Sequence, residues 1–372
     1  MTIAHDYVPF TIASVNRDTP DAVTIALSIP EDMQPRFAFQ PGQYLNVRTL
    51  IHGEEVRRSF SICSGPSESH LRIAIKKVDG GHFSAWANTA LAAGDTLDAM
   101  PPQGRFVLAK SDGAPRHILC LAAGAGITPI IAMAAHALWR EPETRVTLVY
   151  GNRTLESVMF REDLEDLKDR WLDRFTLVHV LSRAASEDGA VFEGRITADV
   201  LSRLAGVVGP FASFAQVYLC GPGSMIRELR TALFSLGIPR DRVHHEFFAA
   251  GGGVYRAATE GSTRERATLP PTQTISDASR LTTIEAILEG TRHRFTAGAG
   301  ETVIDAAVRA GLRVPFSCRG GMCCTCRAKI IEGRAEMRTN YSLEPWEISQ
   351  GFTLTCQAIA LTERLVVDFD RM

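Results

Sequence analysis

Four of the chain's eight cysteines fall within nine residues of the stretch "CRGGMCCTCRAK", at Cys318, Cys323, Cys324 and Cys326. Core packing has no use for such a cluster, because a buried thiol serves only as a small apolar group. Three of the four read as C-x4-C-x2-C, and Cys356 follows Cys326 after twenty-nine further residues. This is the spacing of a plant-type [2Fe-2S] site. Each iron takes two thiolates, so a tight loop supplies three ligands and a distant strand must return with the fourth. That requirement dictates the fold of the C-terminal part. Gly320 and Gly321 fit it: without Cβ atoms the backbone wraps closely and aims N–H groups at the sulfurs. Cys324, beside a ligand, reads as a bystander. Zinc or inert burial are the alternatives, but zinc ribbons carry two C-x2-C knuckles and this loop carries one.

A chain of 372 residues, 45% hydrophobic and 22% charged, is too long for one core and predicts two or three domains. Its net charge of -2 gives no reason to expect nucleic acid or an anionic membrane as a partner. The start "MTIAHDYVPF" lacks the basic and apolar segments of a signal peptide, so a cytoplasmic location is expected. Clustered thiols there mean metal or catalysis more often than disulfides. The uncharged run at 118–135, "ILCLAAGAGITPIIAMAA", is long enough for a membrane span. Gly124, Gly126 and Pro129 divide it instead into a buried strand, a turn and a buried helix.

Two-residue alternation dominates the first hundred residues, as in "LRIAIKKV", where Leu71, Ile73 and Ile75 share one face. An antiparallel β-barrel is expected over 1–112. From Arg116 the pattern changes to strand, glycine turn, helix and strand, which predicts an α/β domain with a parallel sheet over 113–248. Residues 249–280 are rich in Gly, Ser, Thr and Pro and read as a linker. The remainder, 281–372, predicts a compact α+β unit. It has strands in "LTTIEAILEG" and "HRFTAG", a helix from about Glu301 to Ala310 stopped by Gly311, the cysteine loop, and late strands "FTLTCQAI" and "RLVVDF".

A [2Fe-2S] centre passes one electron at a time and a nicotinamide delivers a hydride, so a chain using both needs a flavin between them. "AAGAGITPI" places Gly124 and Gly126 where backbone could approach a pyrophosphate, with Thr128 as N-cap and Pro129 at the first helical position. A plain tight turn is the alternative, because Pro129 stands where a third glycine would complete the Rossmann fingerprint. "YLCGPGSM" repeats the idea with Cys220 and Gly221, against the bland reading of a buried thiol and a turn. In "VRRSFSICS" alternation sends Arg58 and Phe60 to one side, a fork of donors and a flat ring suited to a flavin. "GGHFSAW" offers a glycine turn and a short helix from Ser84 as a second phosphate contact.

The motifs R-S-F-S, G-x-x-S, G-A-G-I-T-P and C-G-P-x-x-M, followed by a plant-type ferredoxin loop, occur in that order. Together they resemble the ferredoxin-NADP reductase superfamily, in its oxygenase-reductase branch with the β-grasp ferredoxin domain fused last. The tail "MRTNYSLEPWEISQGFTLTCQAIALTERLVVDFD", with "VYGNRT" and "FQPGQYL", is most similar to reductase components of the phenylacetyl-CoA epoxidase type. The resemblance implies that Arg58 holds flavin phosphates, Ser59 belongs to the cofactor-binding residues, Phe60 stacks on the flavin, and Ser61 lies near flavin N5. Phe60 stands where the family more often has tyrosine, so stacking is kept and the phenol hydrogen bond is lost. It further assigns Gly81 and Ser84 to phosphate, Gly124, Gly126 and Thr128 to the nicotinamide dinucleotide, and Cys220 and Gly221 to the place beside the nicotinamide ring. Glu246 and Phe248 in "HHEFF" match a closing Glu-x-Phe near the flavin. Ser61, Cys220 and Glu246 are thus the catalytic candidates, and Cys318, Cys323, Cys326 and Cys356 the cluster ligands.

Ser182 and Arg183 end a strand where related reductases hold the 2'-phosphate of NADPH, and Arg153 ends another, so NADPH is favoured over NADH. FAD is expected, with FMN the alternative. The implied protein is an electron-transfer enzyme that carries reducing equivalents from NADPH through FAD and [2Fe-2S] to a separate oxygenase component. Other acceptors, a ring-hydroxylating dioxygenase or a hybrid-cluster protein, are the runner-up. Residues 281–372 hold eleven Lys/Arg against eleven Asp/Glu, so docking there is expected to follow shape more than charge.

Overall fold

Alternating apolar residues build the first sheet. Its strands are β1 (Val8–Thr19), β2 (Ala22–Leu27), β3 (Tyr44–Ile51), β4 (Glu54–Ser61), β5 (Leu71–Lys76) and β6 (Thr96–Ala99), with helix α1 (His82–Thr89) between β5 and β6. In this computed structural model, which describes residues 7–183, 192–248 and 281–371, they run antiparallel in the order β4-β3-β6-β1-β2-β5. A bridge between Ile62 and Ile73 joins the two ends and closes the barrel. Leu71, Ile73 and Ile75 point inward and are buried, as their period-two spacing requires.

The second layer is a parallel sheet. Its members are β7 (Arg116–Ala123), α2 (Ile127–Arg140), β8 (Thr144–Asn152), α3 (Arg161–Arg170), β9 (Phe175–Leu181), β10 (Phe192–Glu193), α4 (Ala198–Val208), β11 (Gln216–Pro222), α5 (Gly223–Ser235) and β12 (Val243–Phe248). The strand order is β10-β9-β8-β7-β11-β12. The uncharged run thus divides into β7, a tight turn and α2. Among the described residues no helix is long and apolar enough to cross a membrane.

The first compact unit, up to Gly252, includes barrel and parallel sheet, and one core runs between them. Ala22, Cys63, Ala74 and Phe106 of the barrel side pack with Ile127, Ile130 and Ile131 of α2. Polar contacts reinforce the joint. Both carboxylate oxygens of Asp18 accept from the N–H of Phe160, at 3.0 and 3.2 Å, and Arg72 pairs with Asp163 at 3.2 Å. Burial pushes the Asp18 carboxyl up, more than the Phe160 N–H holds it down.

The second unit contains β13 (Thr282–Leu288), β14 (Thr291–Ala297), α6 (Val303–Arg309), β15 (Arg327–Glu332), β16 (Ala335–Met337), α7 (Pro345–Ser349), β17 (Phe352–Leu354), β18 (Ala358–Ala360) and β19 (Arg364–Asp368). Its main sheet, β14-β13-β19-β15-β17, is mixed, with β13 parallel to β19. The linker expected at 249–280 lies outside the described residues.

Four boundaries correct the expectations. Helix α1 starts at His82, two residues before Ser84, because Gly81 is its N-cap. Gly124–Gly126 tightens into a 3-10 turn, so α2 starts at Ile127 with Gly126 as N-cap. Thr128 is therefore inside the first turn, and its hydroxyl donates to the Ala125 carbonyl at 3.0 Å. Pro129 falls at the third helical position, where the absent N–H is one that would find no helical partner. Helix α6 is confined to Val303–Arg309 because Thr302 caps it, accepting from Asp305 N–H. Lastly, "FTLTCQAI" is two strands, and Cys356 stands in the turn between β17 and β18.

Candidate redox sites

The cysteine loop leaves α6 and returns as β15. Cys318 Sγ accepts N–H groups from Gly320 at 3.3 Å and Cys323 at 3.4 Å. Gly321 has φ +75°, and a Cβ there would stand 2.8 Å from the Thr339 carbonyl oxygen, so both conformation and space demand glycine. Its carbonyl is fastened by Tyr341 N–H at 3.1 Å and the Ser342 hydroxyl at 3.0 Å. Across the site, Thr355 donates its hydroxyl to the Cys326 carbonyl at 2.7 Å and its N–H to the same oxygen at 3.1 Å. The turn carrying Cys356 is thereby tied to the end of the loop.

The thiols form two interacting pairs. Cys318 is drawn down to about 6, first by the Cys323 thiol and then, against the cost of burial, by the N–H groups of Gly320, Met322 and Cys323. Cys356 is lowered by the Cys326 thiol. Their partners Cys323 and Cys326 are held well above the ordinary value, as donors to the sulfurs opposite. Cys356 also interacts electrostatically with Cys318, and Cys326 with Cys323. Backbone N–H groups aimed at a sulfur that is easily deprotonated are what a metal-bound thiolate needs, and the residues present fit a [2Fe-2S] cluster. Cys324 has a left-handed backbone, φ +56°, and packs against this unit's core.

In the first unit, β4 carries Arg58, Ser59, Phe60 and Ser61. Arg58 is half-buried and its Nη1 donates to the Arg57 carbonyl at 2.7 Å. Ser59 Oγ donates to Asn46 Oδ1 at 2.7 Å, and Ser61 is buried. The Phe60 ring lies 5.3 Å from that of Phe83 in α1, so the aromatic strand residue and the second phosphate candidate share one wall. Gly81 is the N-cap of that helix. Ser84 Oγ donates to Gly81 O at 3.0 Å and accepts from Val78 N at 3.1 Å. The Ser84 hydroxyl thus serves the turn itself.

At the carboxyl ends of the parallel strands, Gly126 meets Cys220 and Gly221. A Cβ on Gly126 would fall 2.2 Å from the Cys220 carbonyl oxygen and 2.8 Å from Gly221 N, so only glycine lets the two turns touch. Around Gly124 a Cβ would meet nothing within 4 Å, so that side of the turn is open to a ligand. Cys220 is fully buried, and burial, with the Glu246 carboxylate adding to it, pushes its thiol well up. Glu246 is its register partner on β12, and Phe248, half-buried, is paired with Pro222. Glu246 as a whole is partly exposed, yet its Oε2 is sealed from solvent without a hydrogen-bond partner, and burial pushes the carboxyl up to about 8. An orphaned buried oxygen at the strand ends fits a site completed by a bound group.

This carboxyl gives a pH prediction for the cofactor-free protein. Its folded pKa, about 8, lies above the ordinary 4.5, so between these values the folded state holds more protons than the unfolded one. Stability should therefore fall as pH rises from about 4.5 to about 8 and level off beyond, and Glu246→Gln should flatten that slope. Urea unfolding at four pH values measures it; an equally steep slope in the variant would contradict the assignment.

Arg153, Ser182 and Arg183 are exposed and adjacent. Ser182 N donates to Asn152 O at 3.0 Å and Arg183 N to Arg153 O at 2.8 Å, so the ends of β8 and β9 present them together. Three residues that motif reading passed over support these sites. Tyr150, fully buried, donates its phenol to Gly124 O at 3.0 Å. Asp18 fastens barrel to parallel sheet, and Thr355 ties the two ligand segments. Tyr150 alone left a trace, as a polar-tipped ring closing the aliphatic run "VTLVY".

Such a combination defines a class, the flavin- and nicotinamide-dependent reductases with their own iron–sulfur unit. Three family models match in order: an oxidoreductase FAD-binding domain over 9–108, an oxidoreductase NAD-binding domain over 120–231, and a 2Fe-2S iron-sulfur cluster binding domain over 286–361. The chain is 38% identical to one component of the 1,2-phenylacetyl-CoA epoxidase of Escherichia coli (strain K12), covering 100% of this chain and 99% of that one. It is 32% identical to the ferredoxin reductase component of 3-ketosteroid-9-alpha-monooxygenase from Rhodococcus rhodochrous, over 97% of each. The solved structure of phthalate dioxygenase reductase shares the fold, with a TM-score of 0.57, 22% identity and 98% of each chain covered. The chain belongs to the ferredoxin-NADP reductase superfamily, in the oxygenase-reductase branch that ends in a [2Fe-2S] domain. It is an NAD(P)H-dependent oxidoreductase whose cofactors are FAD and [2Fe-2S].

Proposed function

We propose that this enzyme takes reducing equivalents from NADPH and delivers electrons to a separate oxygenase component, that of a phenylacetyl-CoA epoxidase. The observation that carries the electron-exit part is Cys318 Sγ accepting the N–H groups of Gly320 and Cys323, in a loop whose end is tied through Thr355 to the turn carrying Cys356. When bound, the flavin accepts a hydride from the nicotinamide and the cluster passes electrons on singly. In this reading Arg58, Ser59 and the first turn of α1 at Gly81 hold the flavin phosphates, Phe60 covers the ring, and Ser61 and Glu246 face its reactive edge. Gly124, Gly126, Cys220 and Gly221 admit the nicotinamide, with Phe248 at its margin. The functional parts are 1–112, 113–248 and 281–372, joined by 249–280.

The choice of oxygenase rests on the 38% full-length identity to the epoxidase component, against 32% for a steroid monooxygenase reductase. Purified protein should show flavin bands and a broad cluster shoulder that NADPH bleaches, and should reduce a purified phenylacetyl-CoA epoxidase oxygenase. Faster delivery to a ketosteroid oxygenase would move the assignment to that acceptor. Colourless protein containing zinc would end the whole reading.

NADPH as donor is supported by Arg153, Ser182 and Arg183 standing together, since guanidinium forks suit a phosphate. Arg183→Ala should raise KM for NADPH by about ten- to a hundredfold, the range for one charged hydrogen bond, and leave NADH unchanged. Equal effects on both nucleotides would return the preference to NADH.

A further inference from the structure

Glu347 is the least expected residue of the ferredoxin unit. Its side chain is 0% exposed, and its Oε1 pairs with Arg327 Nη2 at 3.1 Å, where Arg327 is itself only 13% exposed. The guanidinium carbon of Arg327 lies 3.6 Å from the centroid of the Phe352 ring, which seals one face of the pair. Glu347 Oε2 accepts the Glu344 N–H at 3.1 Å and closes a capping box at the start of α7. Burying two charges is costly, and neutral residues of similar volume do as well or better for stability alone. A pair buried at such expense calls for another role.

Its location supplies one. Arg327 directly follows Cys326, and β15, which it opens, pairs with β17 through Arg327 and Leu354, two residues before Cys356. Helix α7 leads into β17. The pair therefore braces the strand leaving one proposed ligand against the helix that precedes the other. Lys329 Nζ, also on β15, stands 5.5 Å from the same Phe352 ring. Glu347 is the carboxylate that meets Arg327 there.

We propose that Arg327 and Glu347 are a charge-compensating positioning pair for the iron–sulfur site: Glu347 cancels the field of Arg327 at Cys326 and thereby sets how readily the site accepts an electron. This rests on the cluster reading above. A positive charge left uncompensated in a low-dielectric interior favours the more negative, reduced site.

The test is a redox titration of the full chain with its cofactors, followed by electron paramagnetic resonance of the reduced cluster. Glu347→Gln should raise the midpoint potential, changing the reduced-to-oxidised ratio at fixed poise by on the order of tenfold. The double variant Arg327→Gln/Glu347→Gln should return it to the parental value, because both charges of the pair are removed together. If Glu347→Gln fails to hold a cluster, the double variant should still hold one. A Glu347→Gln protein with full cluster content and parental potential would overturn the proposal. So would a double variant that stays shifted or stays empty. A parental protein with no [2Fe-2S] spectrum would sink the cluster reading itself, a separate failure visible before any variant is made.

Discussion

Replacing Cys318, Cys323, Cys326 or Cys356 with serine should each reduce electron delivery to an external oxygenase by more than about a hundredfold, the upper range for changes outside a metal's own ligands. Direct reduction of a dye by the flavin should persist in all four. The reason is geometric. Cys318 and Cys323 come from a loop whose Gly320 and Cys323 N–H groups donate to Cys318 Sγ, the Gly321 N–H serves Cys356, and the Cys326 and Cys356 segments are joined through Thr355. Serine keeps the volume but not a soft, readily ionised sulfur, so the scaffold survives while the metal site does not. Cys324→Ser should leave delivery intact, because the C-x4-C-x2-C spacing with Cys356 is complete without it. Steady-state turnover with a dye and with an oxygenase measures both arms. Undiminished delivery in all four variants would refute the ligand set.

Gly126→Ala should be strongly damaging to the nicotinamide side of the first unit. Its Cβ would meet the backbone oxygen of Cys220 at 2.2 Å and its carbonyl carbon at 2.5 Å, and backbone cannot swing aside as a flexible side chain would. The α2 turn must then retreat from the β11 turn, spoiling the approach of nicotinamide to flavin. A misplacement of about 1 Å costs on the order of a hundredfold in rate, so flavin reduction by NADPH should slow by about that factor. Flavin content should stay near parental, because β4 and α1 are untouched. Gly94→Ala is the control. That position has φ +92° with open space around a Cβ and belongs to no proposed site, so the change should cost only roughly 1–2 kcal/mol of stability in backbone strain. Stopped-flow bleaching of the flavin separates the two, and a parental rate in Gly126→Ala would defeat this account.

Much of the fold was legible because its signals are local. Period-two alternation marked the barrel strands, and a glycine turn between an aliphatic strand and an alanine-rich helix marked β7 and α2. Boundaries were less so. Thr128 has a good capping side chain, yet the tight Gly124–Gly126 turn starts the helix early and turns its hydroxyl back on Ala125. Ser84 likewise bonds its own turn. In both cases a short polar side chain chooses between ligand and backbone, and the choice depends on a loop shape that no spacing states.

The candidate sites divide in the same way. The four cysteines proposed as ligands and the glycine turns stand out in the residue order, since metal valence and backbone approach restrict residue type at set separations. Glu246, Tyr150, Asp18 and the Arg327–Glu347 pair draw their importance from partners twenty or more residues away. By itself, the order of residues determined the three-part architecture and the cluster chemistry, because periodicity and thiol spacing are properties of a short segment. Only tertiary structure decided that Gly126 must meet Cys220, that Glu246 loses its solvent, and that Glu347 finds a cation. Desolvation and close approach arise where distant segments pack, and their magnitude is set there.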